Sequence, residues 1–158
     1  MKANHINPFI ESVYDLFGTM LNCQVARGDL AIAESVSQPR DITALIGLAG
    51  RTRGTVALSF PVTTALAMVS RLTDNTTRVV DATVLDAVAE LVNIVAGGAK
   101  AKMTGEGADV LSLGLPIVVR GQRYNVDYPS NATWLEVPFS SDLGPFSLRV
   151  TFEYSIND

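Results

Sequence analysis

With 158 residues, 47% of them hydrophobic, the chain can fill one well-packed core, and its length favours a single domain spanning residues 1–158. Its 12 basic and 16 acidic residues give a formal charge of −4 with no basic run, which argues against a nucleic-acid interface, since phosphate binding needs clustered Lys and Arg. One Cys (Cys23) and one His (His5) cannot build a Cys/His zinc site or a disulfide framework, so no metal site and a cytoplasmic location are expected.

From Ile6 to Leu21, the residues Phe9, Val13, Phe17, Met20 and Leu21 recur at three- and four-residue steps. This is the period of an amphipathic helix, with Pro8 tolerated in its first turn. Polar Asn4, His5 and Asn7 stand where a signal peptide would carry its apolar stretch. Asp, Glu, Asn or Lys interrupts the apolar segments before ~18 residues, so neither a secretory signal nor a membrane span is expected.

Between Val25 and Phe60 the pattern changes to short apolar or β-branched runs, at Leu30–Ala33, Ile42–Leu48 and Thr55–Phe60, separated by Gly, Pro, Asp and Arg. They predict three antiparallel strands. Val62–Leu72 reads as a short helix with Pro61 at its start and Thr73-Asp74-Asn75 as a polar stop. A longer helix runs from about Ala82 to Met103, opened by Asp81 as N-cap and closed by Gly105 and Gly107. A strand begins at Pro116 and runs to Arg120, and Gly121 turns the chain. Thr133–Phe139 and Phe146–Tyr154 alternate like the arms of a hairpin around Asp142–Pro145. This order of elements predicts an α+β fold, an antiparallel sheet with helices packed on one face.

The long helix divides into two faces at 100° per residue. Val84, Val88, Leu91, Val92, Val95 and Ala99 share one side and predict core, while Asp86, Glu90, Asn93, Gly97 and Lys100 share the other. Glu90 and Asn93, three residues apart, can reach into the same small site on a partner. The like charges of Asp86 and Glu90 at i,i+4 weaken an isolated helix by about 0.2–0.5 kcal/mol. Gly97 and Gly98 each cost roughly 1 kcal/mol against Ala in a helix interior. Gly97 lies on the Glu90/Asn93 face, where a missing side chain would admit another backbone. The plainer reading is an ordinary solvated helix face, which most amphipathic helices possess.

A longer pattern favours function. Asp86 is followed by Glu90 four residues on, by Asn93 three further on, and by Pro116 after twenty-two intervening residues. This spacing resembles the signature of the CheC, CheX and FliY chemotaxis phosphatases, in which Asp or Ser, Glu, Asn and Pro recur at these intervals. Asn7-Pro8-Phe9-Ile10-Glu11-Ser12-Val13, with Thr19-Met20-Leu21, and Gly97-Gly98-Ala99-Lys100 also resemble CheX proteins. The resemblance implies a CheC-like α/β sandwich. CheC resembles a duplicated form with two Glu/Asn helices. Here the first helix carries Glu11 followed by Tyr14 where Asn would be needed, so one active face per chain is expected.

The resemblance further implies that the substrate is a CheY-like receiver domain phosphorylated on Asp, carrying its own Mg²⁺ and Lys, with no cofactor bound by this chain. Asn93, whose amide both donates and accepts, suits the orientation of the attacking water. Glu90, by resemblance, anchors the receiver's Lys through a charge-assisted bond. Asp86, Gly97 and Lys100 take supporting or partner-binding roles, and Pro116 pins the entry of its strand. CheX proteins resemble dimers built through their sheets, so a homodimer is expected. Two other readings remain open: a non-catalytic module that docks receivers through the same face, and a structural subunit assembling through its sheet edge. Cys23 reads as a small buried hydrophobe, His5 as a surface residue, and Trp134 and Phe139 as sheet packing. Gly105-Glu106-Gly107 lacks the context of a dinucleotide fingerprint.

Overall fold

The helices form where the 3.6-residue apolar period is unbroken, and each has an identifiable start and stop. The computed structural model describes residues 3–33, 41–50, 52–103, 112–122, 124 and 133–154. A turn of 3-10 helix, Ala3–Ile6, leads into α1 (Asn7–Thr19), whose first turn holds Pro8, since the first N–H groups of a helix have no internal acceptor. It ends as the Met20 N–H donates to the Leu16 carbonyl at 2.9 Å. Leu21, expected as the last helical residue, lies just beyond the helix and is fully buried.

The helix α2 (Val62–Thr73) follows Pro61, and the Val62 N–H donates to the Asp41 carboxylate at 3.2 Å. It stops where Asp74 turns left-handed, at φ 54° and ψ 31°. The helix α3 (Ala82–Lys102) is capped by Asp81, whose carboxylate accepts from the Val84 N–H at 3.1 Å. Met103, in extended conformation, ends it. The glycines expected to close it, Gly105 and Gly107, lie outside the described residues.

Between the helices run β1 (Val25–Arg27), β2 (Ala31–Ala33), β3 (Ile42–Ala49), β4 (Thr52–Phe60), β5 (Ser112–Leu113), β6 (Ile117–Arg120), β7 (Trp134–Ser141) and β8 (Phe146–Tyr154). They form one sheet in the order β1-β7-β8-β4-β3-β5, with β2 also on the edge of β7 and β6 on the edge of β3. Every pairing among the described residues is antiparallel. Two of these strands, β1 and β5, were not expected from the sequence. The hairpin β7–β8 was, and its register sets Phe139 opposite Phe146.

The residues of the helix-covered face, Ile42, Ala44, Ile46, Val56, Leu58, Phe60, Leu135, Val137, Phe139, Phe146, Leu148 and Val150, join one core with all three helices. At its centre Phe146 stacks on Phe17, Phe139 and Phe60, with ring centroids at 4.8, 5.1 and 5.7 Å. Cys23 belongs to this core, as expected of a small hydrophobe. The opposite face is polar although buried: Thr43 bonds Ser59 at 2.9 Å and Tyr124 at 2.6 Å, and Arg149 pairs with Glu136 at 3.3 Å. Trp134 is buried on that face, one residue out of phase with Leu135 on the core side.

Candidate active site

The apolar side of α3 anchors everything on its other side. Val84, Val88, Leu91, Val92, Val95 and Ala99 are each no more than 1% exposed, as their spacing predicts, and each fully buried Val or Leu contributes roughly 1.5–3 kcal/mol. Ala96, assigned to neither face by the sequence reading, is also buried, because α1, α2 and the sheet all pack against this helix. That surround makes α3 apolar enough to match a membrane span in length and composition, contrary to the expectation that no segment would. Its buried apolar residues, from Val84 to Ala99, belong to the core.

On the other side, Asp86 and Glu90 are exposed, while Asn93, Gly97 and Lys100 are half-buried. The helix brings all five onto one row, with Glu90 and Asn93 one turn apart. Among the described residues, none of the side chains of Asp86, Glu90, Asn93 and Lys100 has a hydrogen-bond or ion-pair partner. The carboxylate, the amide and the ammonium are thus all available to a molecule from outside. Pro116 is half-buried at the entrance to β6, a strand that lies against α3.

The two glycines of the helix separate cleanly. A Cβ on Gly98 would overlap the Ser12 hydroxyl, so any side chain there would force that hydroxyl or α1 to move. A Cβ on Gly97 would meet no atom within 4 Å, leaving its face open.

The row combines exposed Asp86 and Glu90 with half-buried Asn93, Gly97 and Lys100. A cleft of about 220 Å³ opens elsewhere, lined by Asp41, Ile42, Val62, Val80, Arg120, Gly121 and Gln122, and no residue of the row lines it. Small substrates are enclosed by concave sites lined by convergent groups, whereas a helix row whose polar groups have no partner among the described residues suits contact with a larger molecule.

Residues 42–140, more than half of the chain, match the family described as chemotaxis phosphatase CheX. The chain belongs to this family. The match includes α3 and the whole Asp86, Glu90, Asn93, Pro116 pattern. The CheY-P phosphatase CheX of Thermotoga maritima is 28% identical over 141 residues, covering 89% of each chain. A CheC-like superfamily protein from Shewanella sp. PV-4 superposes with a TM-score of 0.86 at 29% identity, over 97% of this chain and 99% of that one. CheX from Borrelia burgdorferi, crystallised with CheY, beryllofluoride and Mg²⁺, shares the fold at a TM-score of 0.80 and 20% identity, over 96% of this chain and 99% of that one. The α+β architecture inferred from the sequence is therefore that of the CheX and CheC-like proteins.

Sequence reasoning missed the exposed apolar residues at the β6 edge. Leu115 is 87% exposed and Ile117 64%. Their signal was an apolar residue on either side of Pro116 in a segment too short to be amphipathic on its own.

Proposed function

We propose that this chain hydrolyses the aspartyl phosphate of a CheY-like receiver domain, acting as a single CheX-like domain in the cytoplasm. The supporting observation is that Glu90 and Asn93 share one face of α3 with no partner among the described residues. The complex of the Borrelia burgdorferi protein with CheY, beryllofluoride and Mg²⁺ supports a receiver as partner. No cofactor is needed on this chain, the Mg²⁺ arriving with the receiver.

In this reading the α3 face enters the receiver's active site. Asn93 accepts a hydrogen bond from a water through its carbonyl oxygen and holds that water in line with the scissile P–O bond. The water oxygen bonds to phosphorus as the acyl-phosphate P–O bond breaks, releasing inorganic phosphate and the receiver's free Asp carboxylate. Glu90 pairs with the receiver's Lys and sets the register of the helix. Asp86 and Lys100 support docking at either end of the row, and Pro116 fixes the strand beside the helix.

The experiment is the decay of phosphoryl-Asp on Mg²⁺-loaded receiver domains, with catalytic amounts of this protein and of its Asn93→Ala variant. Turnover by the wild type, lost in the variant, is expected. Binding of phosphorylated receivers without faster decay would assign the chain to the non-catalytic docking modules instead.

The homodimer belongs to the same proposal. β6 lies on the outer side of β3, and Leu115 and Ile117 give that edge an exposed apolar surface. Sedimentation equilibrium at micromolar protein is expected to give twice the chain mass of 16.9 kDa. A single chain mass would refute the dimer.

A further inference from the structure

Gly97 is a residue whose cost the chain itself does not explain. It lies in the interior of α3, five residues before the helix ends at Lys102, so it does not terminate the helix. Its φ is not among the positive values that glycine alone adopts readily. No neighbour requires its bareness, since a Cβ there meets no atom within 4 Å, in contrast to Gly98 beneath Ser12. Alanine would therefore fit without strain and favour the helix.

Position 97 is one turn beyond Asn93. Helical side chains lean toward the N-terminus, so a residue covers the surface over the turn before its own Cα. A side chain longer than a methyl group at position 97 would lean toward the Asn93 amide, which is half-buried and unpartnered among the described residues. Bareness here keeps that amide accessible, and it leaves room for a partner's backbone at the same point.

We infer that Gly97 is a positioning residue: it clears the approach to Asn93 and seats a backbone segment of the phosphorylated receiver directly on α3. The inference rests on the receiver-phosphatase reading and adds to it the point of closest approach. It also separates the two glycines by purpose, Gly98 serving the chain's own helix packing and Gly97 the partner.

The test compares wild type, Gly97→Ala and Gly97→Gln, using a receiver domain activated by beryllofluoride and Mg²⁺ for affinity and the phosphorylated receiver for turnover. Gly97→Ala is expected to raise the thermal midpoint while weakening binding several-fold. Gly97→Gln, whose longer side chain reaches over Asn93, is expected to weaken binding and raise KM on the order of 10²-fold. Its thermal midpoint is expected not to fall below that of wild type. A purely structural glycine would instead lower the midpoint and leave KM unchanged. Wild-type affinity and KM in Gly97→Gln would overturn the inference while leaving the phosphatase reading standing. A wild-type protein that neither binds nor dephosphorylates receivers would overturn both.

Discussion

Two helices lie side by side on the same sheet, each with a Glu and, three residues on, a side chain that could work with it. On α1 the pair is Glu11 and Tyr14; on α3 it is Glu90 and Asn93. Glu11 is exposed like Glu90, but the polar residues around it are tied to the fold. Ser12 is buried under Gly98, Asp15 bonds Lys102 of α3 at 2.7 Å, and the Tyr14 ring meets Phe139 edge-on at 6.0 Å. The polar row of α3 engages nothing among the described residues. A functional helix face is recognised here less by its residue types than by side chains that the fold leaves unused, since stable domains usually satisfy their half-buried polar groups internally.

The comparison breaks most sharply at Asn93. Asn93→Ala is expected to lower receiver dephosphorylation by about 10²-fold or more, the scale of losing a single aligned polar group. Because its amide makes no internal bond, unfolding stability should change by less than about 0.5 kcal/mol. Adding Tyr14→Asn to that variant writes a Glu-x-x-Asn pair onto α1. No activity should return, because that face is already committed to packing and to Lys102. Dephosphorylation by the double variant would mean that the two helices are interchangeable.

Next in size is the contact between the two helices. Gly98→Ala drives a methyl group into the Ser12 hydroxyl, and overpacking of this kind costs about 1–3 kcal/mol, readable in urea unfolding. Ser12→Ala removes the oxygen in the way, so the double variant is expected to recover most of the loss. The two changes are then strongly non-additive. Independent effects would mean that Gly98 is required for a reason other than α1.

How much of this was legible in advance follows the length of each element. The helices and the β7–β8 hairpin carry long periodic patterns, and Asp81 caps α3 as its position predicts. The strands β1 and β5, of three and two residues, exist only through their registers with β7 and β3, and such short pieces hold too little alternation to read. Ala96 escaped because a small residue between two stripes gives no sign of how much of the helix its neighbours will cover. The side of Trp134 was hidden too, since its neighbour Leu135 is equally apolar and only the register decides which of them meets the helices. At the site, the row from Asp86 to Lys100 was readable from spacing. The place of Gly97 on that row was readable too; what the sequence could not show was that Gly98 meets Ser12 of α1, a contact that belongs to the tertiary structure.

The smallest effect sits at the salt bridge that marks α1 as a structural helix. The Lys102 pKa is raised from 10.5, first by its hydrogen bond to Asp15, which burial partly opposes, and then by the charges of Asp15 and Glu11. A raised folded-state value means that the ammonium favours the folded chain below pH 10.5, and that this contribution fades as the pH climbs through the raised value. Since the pair is at the surface, the change in stability should be slight and should shrink in high salt. The direct measurement is an NMR titration of the Lys102 side chain in wild type and in Asp15→Asn. A lower pKa in the variant, with receiver dephosphorylation unchanged, would keep Asp15 on the structural side of the comparison. A loss of dephosphorylation would instead extend the working surface from α3 across to α1.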